Sequence, residues 1–121
     1  MIGYATIGSN DLEKAKTFYD TVLAPLGGKR TFASDRMQGY AGAGGAMLAV
    51  CTPYNGEQAA PGNGNMVALS ASSPDLINQV HALALANGAT DEGAPGERMP
   101  GFYGGYFRDL DGNKVCVFKM G

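Results

Sequence analysis

Phe102-Tyr103-Gly104-Gly105-Tyr106-Phe107-Arg108 is followed by Asp109-Leu110-Asp111-Gly112-Asn113 and then by Lys114-Val115-Cys116-Val117-Phe118-Lys119-Met120. Two runs rich in aromatic and β-branched residues flank a cluster of turn formers, and the fold is decided by that reading. Asp, Asn and Gly bond their own backbone and tolerate left-handed dihedrals, so the expected element is a tight hairpin. The acidic turn also mimics a calcium loop. It lacks the Glu that such a loop needs at its twelfth position, which favours the plain turn.

Upstream of the hairpin, Ser73 can cap a helix with Pro74 at its first position, followed by Leu76, Ile77, Val80, Leu83 and Ala84 on one face. Gly88 is the expected left-handed C-terminal residue. Met66 to Ala71 alternates with period two, as a strand does, and Thr90 to Gly93 is a third short strand candidate. The second half thus reads strand, helix, three strands.

The first half has the same order. Ile2 to Gly8 alternates, and Asn10 with Glu13 reads as a helix cap with its reciprocal partner. Leu12, Ala15, Tyr19, Val22 and Leu23 follow at helical spacing, and Pro25 with Gly27-Gly28 ends the helix. Strand candidates lie around Arg30 to Ala33, Gln38 to Gly42 and Ala46 to Val50. Between the halves, Tyr54 to Asn65 holds Pro61-Gly62-Asn63-Gly64 and reads as a linker.

The expectation is one α+β domain of two βαβββ modules: module 1 at about 1–53, a linker at about 54–65 and module 2 at about 66–121. Tyr4-Ala5-Thr6-Ile7 lines up with Met66-Val67-Ala68-Leu69, and Leu48-Ala49-Val50 with Val115-Cys116-Val117. Ala5, Ile7, Val67 and Leu69 then face the helices. Tyr4, Thr6, Met66, Ala68 and Ser70 face the other way, toward a cup formed by two modules side by side.

Composition narrows the function. The chain has 121 residues, net charge −2, 45% hydrophobic and 17% charged residues, which suits a globular domain. Its nine Lys and Arg are scattered rather than striped, so nucleic acid is not an expected partner. No run has the ~18 to 20 apolar residues of a membrane span, and Met1-Ile2-Gly3-Tyr4 does not read as a signal peptide. No membrane partner and a cytoplasmic location are expected. Cys51 and Cys116 lie far apart, outside any Cys-x-x-Cys spacing, and are expected to be reduced.

Four segments together resemble the vicinal oxygen chelate superfamily of glyoxalase I, bleomycin resistance proteins and extradiol dioxygenases. They are Tyr4 to Ile7 with Asn10 to Ala15 and Phe18-Tyr19; Met66 to Leu69; Gly93-Ala94-Pro95-Gly96-Glu97-Arg98; and Gly101 to Val115. The resemblance spans essentially the whole chain, and the last segment is the most specific. It implies paired βαβββ modules and usually a homodimer. In metal-dependent members a His sits on the first strand, another begins the fifth, and a Glu follows the Asp-x-Asp-Gly-Asn turn. The matching positions here hold Tyr4, Met66 and Cys116. A phenol, a thioether and a neutral thiol replace that ligand set poorly, so neither metal nor any other cofactor is expected.

The leading expectation is a metal-independent binder of a small apolar or aromatic molecule, with no catalytic residue assigned. The candidate ligand-binding residues are Tyr4, Thr6, Met47, Met66, Arg98, Tyr103 and Cys116. Tyr4 can donate a hydrogen bond or be plain core, and Met47 and Met66 supply adaptable apolar volume or pack on each other. Arg98, placed in a Gly/Pro-rich loop, can reach a carboxylate or phosphate or stay solvated. Cys116 is a thiol facing the cup or a small buried hydrophobe. His81, the sole histidine, is expected at the boundary of its helix's apolar stripe with no chemistry. Two rival readings stand beside this one: a glyoxalase- or dioxygenase-type metalloenzyme with a relocated site, and a protein-interaction domain without a ligand. Bleomycin-type cationic drugs would favour a more acidic groove than net charge −2 suggests.

Overall fold

The computed structural model describes residues 1–121. The chain runs β1 (Tyr4–Gly8), α1 (Leu12–Leu23), a 3₁₀ turn (Ala24–Leu26), β2 (Lys29–Ser34), β3 (Met37–Ala41) and β4 (Met47–Cys51). After a connecting segment it runs β5 (Val67–Ser70), α2 (Pro74–Ala86), β6 (Thr90–Met99), β7 (Phe102–Arg108) and β8 (Lys114–Met120). Two four-stranded sheets result, ordered β1-β4-β3-β2 and β5-β8-β7-β6. In each, the first strand pairs parallel with the last and the rest pair antiparallel. This is the doubled βαβββ order expected from the sequence.

The β7–β8 hairpin keeps the expected limits, and Asp109 organises its turn. Its Oδ1 accepts from the backbone N–H groups of Asp111 and Asn113, each at 2.9 Å. Gly27 and Gly88 adopt the left-handed dihedrals that end their helices, with φ of 77° and 105°.

Three local expectations are corrected. The cap of α1 is Asp11, not Asn10: Asp11 is extended and its Oδ1 accepts from Lys14 N–H at 3.1 Å. Asn10 instead exchanges two hydrogen bonds with Ala59 of the connecting segment, and Glu13 pairs forward with Lys16 rather than back to the cap. Second, β6 extends through the Gly/Pro-rich run to Met99, so Arg98 stands on a strand and not in a loop. Pro95 is tolerated because β6 is an edge, where a missing N–H costs no ladder bond. Third, His81 is buried rather than at a boundary, with its Nε2 3.1 Å from both Asp91 Oδ1 and the Tyr106 carbonyl.

The halves share one core. Phe18 of α1 meets Phe107 of β7 edge-on at 6.1 Å, and both belong to a cluster with Val22, Ile77, Val80, Val115 and Val117. Each such fully buried side chain contributes roughly 1.5–3 kcal/mol. The helices therefore hold one face of both sheets, and the opposite faces are left open.

Candidate functional site

Alternation along the strands sorts the side chains. Ile7, Leu48, Val50, Val67, Leu69, Val115 and Val117 pack in or against the core. Their neighbours Tyr4, Thr6, Met47, Ala49, Ala68, Ser70 and Cys116 fall on the far face, because successive Cβ atoms point to opposite sides.

On the far face of the first sheet, Tyr4 lies opposite Met47 in register and remains 58% exposed. Its ring meets Phe32 edge-on at 6.3 Å. Phe32 can lie over β3 only because residue 39 is glycine: a Cβ there would come within 2.5 Å of the Phe32 ring. Thr31 Oγ1 reaches Met47 Sδ at 3.8 Å, a weak contact that sets the thioether against β2.

On the far face of the second sheet, Cys116 stands opposite Tyr106. Arg98 lies over the Tyr106 ring with Cζ 5.3 Å from its centroid, and Lys114 Nζ lies 5.6 Å from the same centroid. Phe102 and Phe118 stack at 5.6 Å, nearly parallel. Burial pushes the Tyr106 phenol and the Cys116 thiol up. Tyr106, Arg98 and Lys114 oppose that shift at the thiol without overcoming it, so Cys116 stays protonated near neutral pH.

β1 and β5 are both edge strands, and no ladder joins them. Two cavities open along the seam between them. The larger, about 860 Å³, is mostly apolar and straddles the seam: Met47, Ala68 and Ser70 line it from the far face, and Leu48, Leu69, Leu26 and Leu76 from the helix side. The smaller, about 430 Å³, is lined by Thr6, Gly8, Pro61, Asn65, Met66 and Lys114.

The structure thus brings Thr6 and Met66 together in one cavity, and Met47 and Met66 in the other. Tyr4 lines neither cavity, while Cys116 and Arg98 gather around Tyr106. Tyr103 stands apart. It packs against the core on the helix face, and its hydroxyl donates to Asn78 Oδ1 of α2 at 2.8 Å. Phe32 and Lys114 belong to the far face although the sequence reading did not single them out. Period-two spacing was the available signal, since Lys114, Cys116 and Phe118 must share a face in any strand.

The metal that the superfamily resemblance implies finds no fitting donor set at these positions. Tyr4, Met66 and Cys116 present a phenol, a thioether and a protonated thiol, and nowhere in the chain do three or more His, Cys, Asp or Glu side chains converge.

The whole arrangement has counterparts among known proteins. The model of the Glyoxalase/Bleomycin resistance protein/Dioxygenase superfamily matches residues 1–117. A glyoxalase/bleomycin resistance protein from Albidiferax ferrireducens is 38% identical with a TM-score of 0.90, over 98% of this chain and 97% of that one. A glyoxalase-related enzyme from Fulvimarina pelagi, 20% identical, shares the fold with a TM-score of 0.79 over 98% of this chain and 86% of its own. A family enzyme from Burkholderia phytofirmans, 17% identical, does so with a TM-score of 0.77 over 98% and 97%. No curated protein matches the sequence. With its doubled βαβββ order, its Asp-x-Asp-Gly-Asn turn and a family match over nearly its full length, the chain belongs to the glyoxalase/bleomycin resistance protein/dioxygenase superfamily.

Proposed function

We propose that this protein binds a small apolar or aromatic molecule in the seam between its two sheets, without a metal ion. The observation that carries the reading is the apolar seam cavity of about 860 Å³, a volume within the range of small-molecule sites, lined by the adaptable Met47 and Met66. Tyr4, Thr6, Arg98 and Cys116 would border the ligand. Tyr103, committed to Asn78, would support α2 rather than touch it. The phenol, thioether and thiol in place of ion-binding groups support metal independence.

A homodimer is part of the proposal. Ile2, Tyr4, Phe32, Met66 and Met120 are each at least 40% exposed. All but Ile2 stand on or beside the far faces, and Ile2 lines the seam cavity. A second copy covering the seam would shield this apolar surface and enclose the ligand.

Thermal unfolding in the presence of a library of small aromatic compounds, neutral and anionic, tests the binding reading. A saturable rise in Tm is expected, since a ligand that binds only the folded state stabilises it. No rise with any compound would sink the reading. Elemental analysis of protein purified without chelator tests its metal-free part, and stoichiometric zinc, nickel, manganese or iron would sink that part.

A further inference from the structure

Arg98 and Lys114 converge on one aromatic ring, and neither has an acidic partner. The ion pairs of the chain are Lys16–Glu13, Arg30–Asp20 and Arg108–Glu92, and Asp91 lies beside His81. Two like charges held near one ring repel each other, so the arrangement is at its most favourable when an anion lies between or beside them.

The placement of Arg98 is built in. Its guanidinium lies along β6 over two glycines: a Cβ at Gly93 would come within 3.2 Å of Nη2, and one at Gly96 within 3.1 Å of Nη1. Nη2 also donates to the Ala94 carbonyl. One face of the guanidinium is thereby spent on its own strand and on the Tyr106 ring, and its remaining N–H groups are free for an acceptor. Lys114 joins this cluster to the seam, because it also lines the smaller cavity with Thr6, Met66 and Asn65.

We propose that Arg98 and Lys114, flanking the Tyr106 ring, form a subsite for the anionic end of the ligand, a carboxylate or a phosphate attached to an apolar or aromatic body. The assignment rests on the binding reading above and narrows its ligand class to small organic anions. Arg supplies paired N–H donors to a planar or tetrahedral oxyanion, Lys adds a point charge, and the Tyr106 ring holds both cations in place. The same two cations repel cationic ligands, which turns the site away from drugs of the bleomycin type.

The test titrates the full-length protein with benzoate, phenyl phosphate and the uncharged benzamide, read by calorimetry at low and at high salt. The expected result is that at least one anion binds at least tenfold more tightly than benzamide, and that this advantage shrinks as salt rises. R98A and K114A should each remove most of the advantage, read as the ratio of anion to benzamide affinity within the same variant. Circular dichroism confirms that both variants fold, as expected for a side chain on an edge strand and one at a strand start. Preference for benzoate over phenyl phosphate assigns a carboxylate, and the reverse a phosphate. Binding of all three probes with equal affinity, or an anion preference unmoved by both substitutions, overturns the subsite while leaving the binding reading intact. Failure of both anions to bind also overturns the subsite. The binding reading then falls only if the compound library fails as well.

Discussion

Tyr19 Oη donates a 2.6 Å hydrogen bond to Asp109 Oδ2, and both groups are buried. The bond ties α1 of the first half to the hairpin turn of the second. The same turn reaches back twice more: Asp111 Oδ1 accepts from Asn10 N–H at 2.8 Å, and Asn113 Nδ2 donates to the Gly8 carbonyl at 2.9 Å. The halves are therefore joined by a polar clamp as well as by the apolar core.

Removing the phenol hydroxyl should loosen this clamp. Tyr19→Phe keeps the ring against Phe18 and Tyr40 but takes one donor from a buried carboxylate. Asp109 retains three other donors, so the expected loss is about 1.5–3 kcal/mol, the usual worth of a hydrogen bond to a charged group. Chemical denaturation of both proteins measures it. An unchanged midpoint would show that the bond contributes nothing.

Alkaline stability should follow the same residues. Burial, together with Asp109, pushes the Tyr19 phenol well above its ordinary value of 10.0, and burial with the Asp20 hydrogen bond raises Tyr40 likewise. The fold favours the protonated phenols. Their contribution to stability is full below about pH 10, where the unfolded phenols also keep their protons, and falls as pH climbs past it. Denaturation midpoints between pH 8 and 11 should begin to decline past about pH 9, where the unfolded Cys116 thiol ionises, and fall more steeply above about pH 10, where the phenols follow. Tyr19→Phe should flatten that decline, measured relative to its own value at pH 8.

Thiol reactivity gives a direct reading of burial. Cys51 and Cys116 are both buried, and burial raises the Cys116 pKa. Ellman's reagent at pH 7.5 should label neither at a measurable rate in the native protein and both in denaturant, because the thiolate is the reacting species and must be reached. Rapid native labelling of Cys116 would show that the far face of the second sheet opens.

His81 should matter for positioning rather than chemistry. Its Nε2–H faces two acceptors, Asp91 Oδ1 and the Tyr106 carbonyl, and so pins β7 where Tyr106 enters the proposed subsite. His81→Ala should cost about 1–3 kcal/mol by removing the donor that Asp91 and the part-buried Tyr106 carbonyl share. The Tyr106 amide should lose protection in hydrogen exchange by more than residues on β3 do. A uniform loss across both sheets would reduce the residue to bulk packing.

Dimerisation is checked by light scattering over a concentration series. The expected mass is twice the 12.5 kDa of one chain. A single-chain mass throughout would leave the apolar seam exposed in solution and remove the second copy from the proposal.

The sequence by itself determined the element order, because period-two and period-3.6 patterns, caps and turn residues are local signals. The β7–β8 hairpin and the endings at Gly27 and Gly88 were legible for that reason, and so was the division of Tyr4 and Cys116 from Ile7 and Val117. Tertiary structure decided what local signals do not encode. Asn10 loses the cap to Asp11 because Ala59 and Asp111, distant in sequence, bond its side chain and backbone. Glycine and proline argued for a loop before Arg98, yet pairing with β7 holds that run in a strand. Tyr103 turned from the candidate site to Asn78 because a helix packs on its side of the sheet, and Arg98 and Lys114 met at Tyr106 only once three strands lay side by side. Local patterns fix which face a side chain takes. What it meets there depends on the contacts made when separate segments fold together.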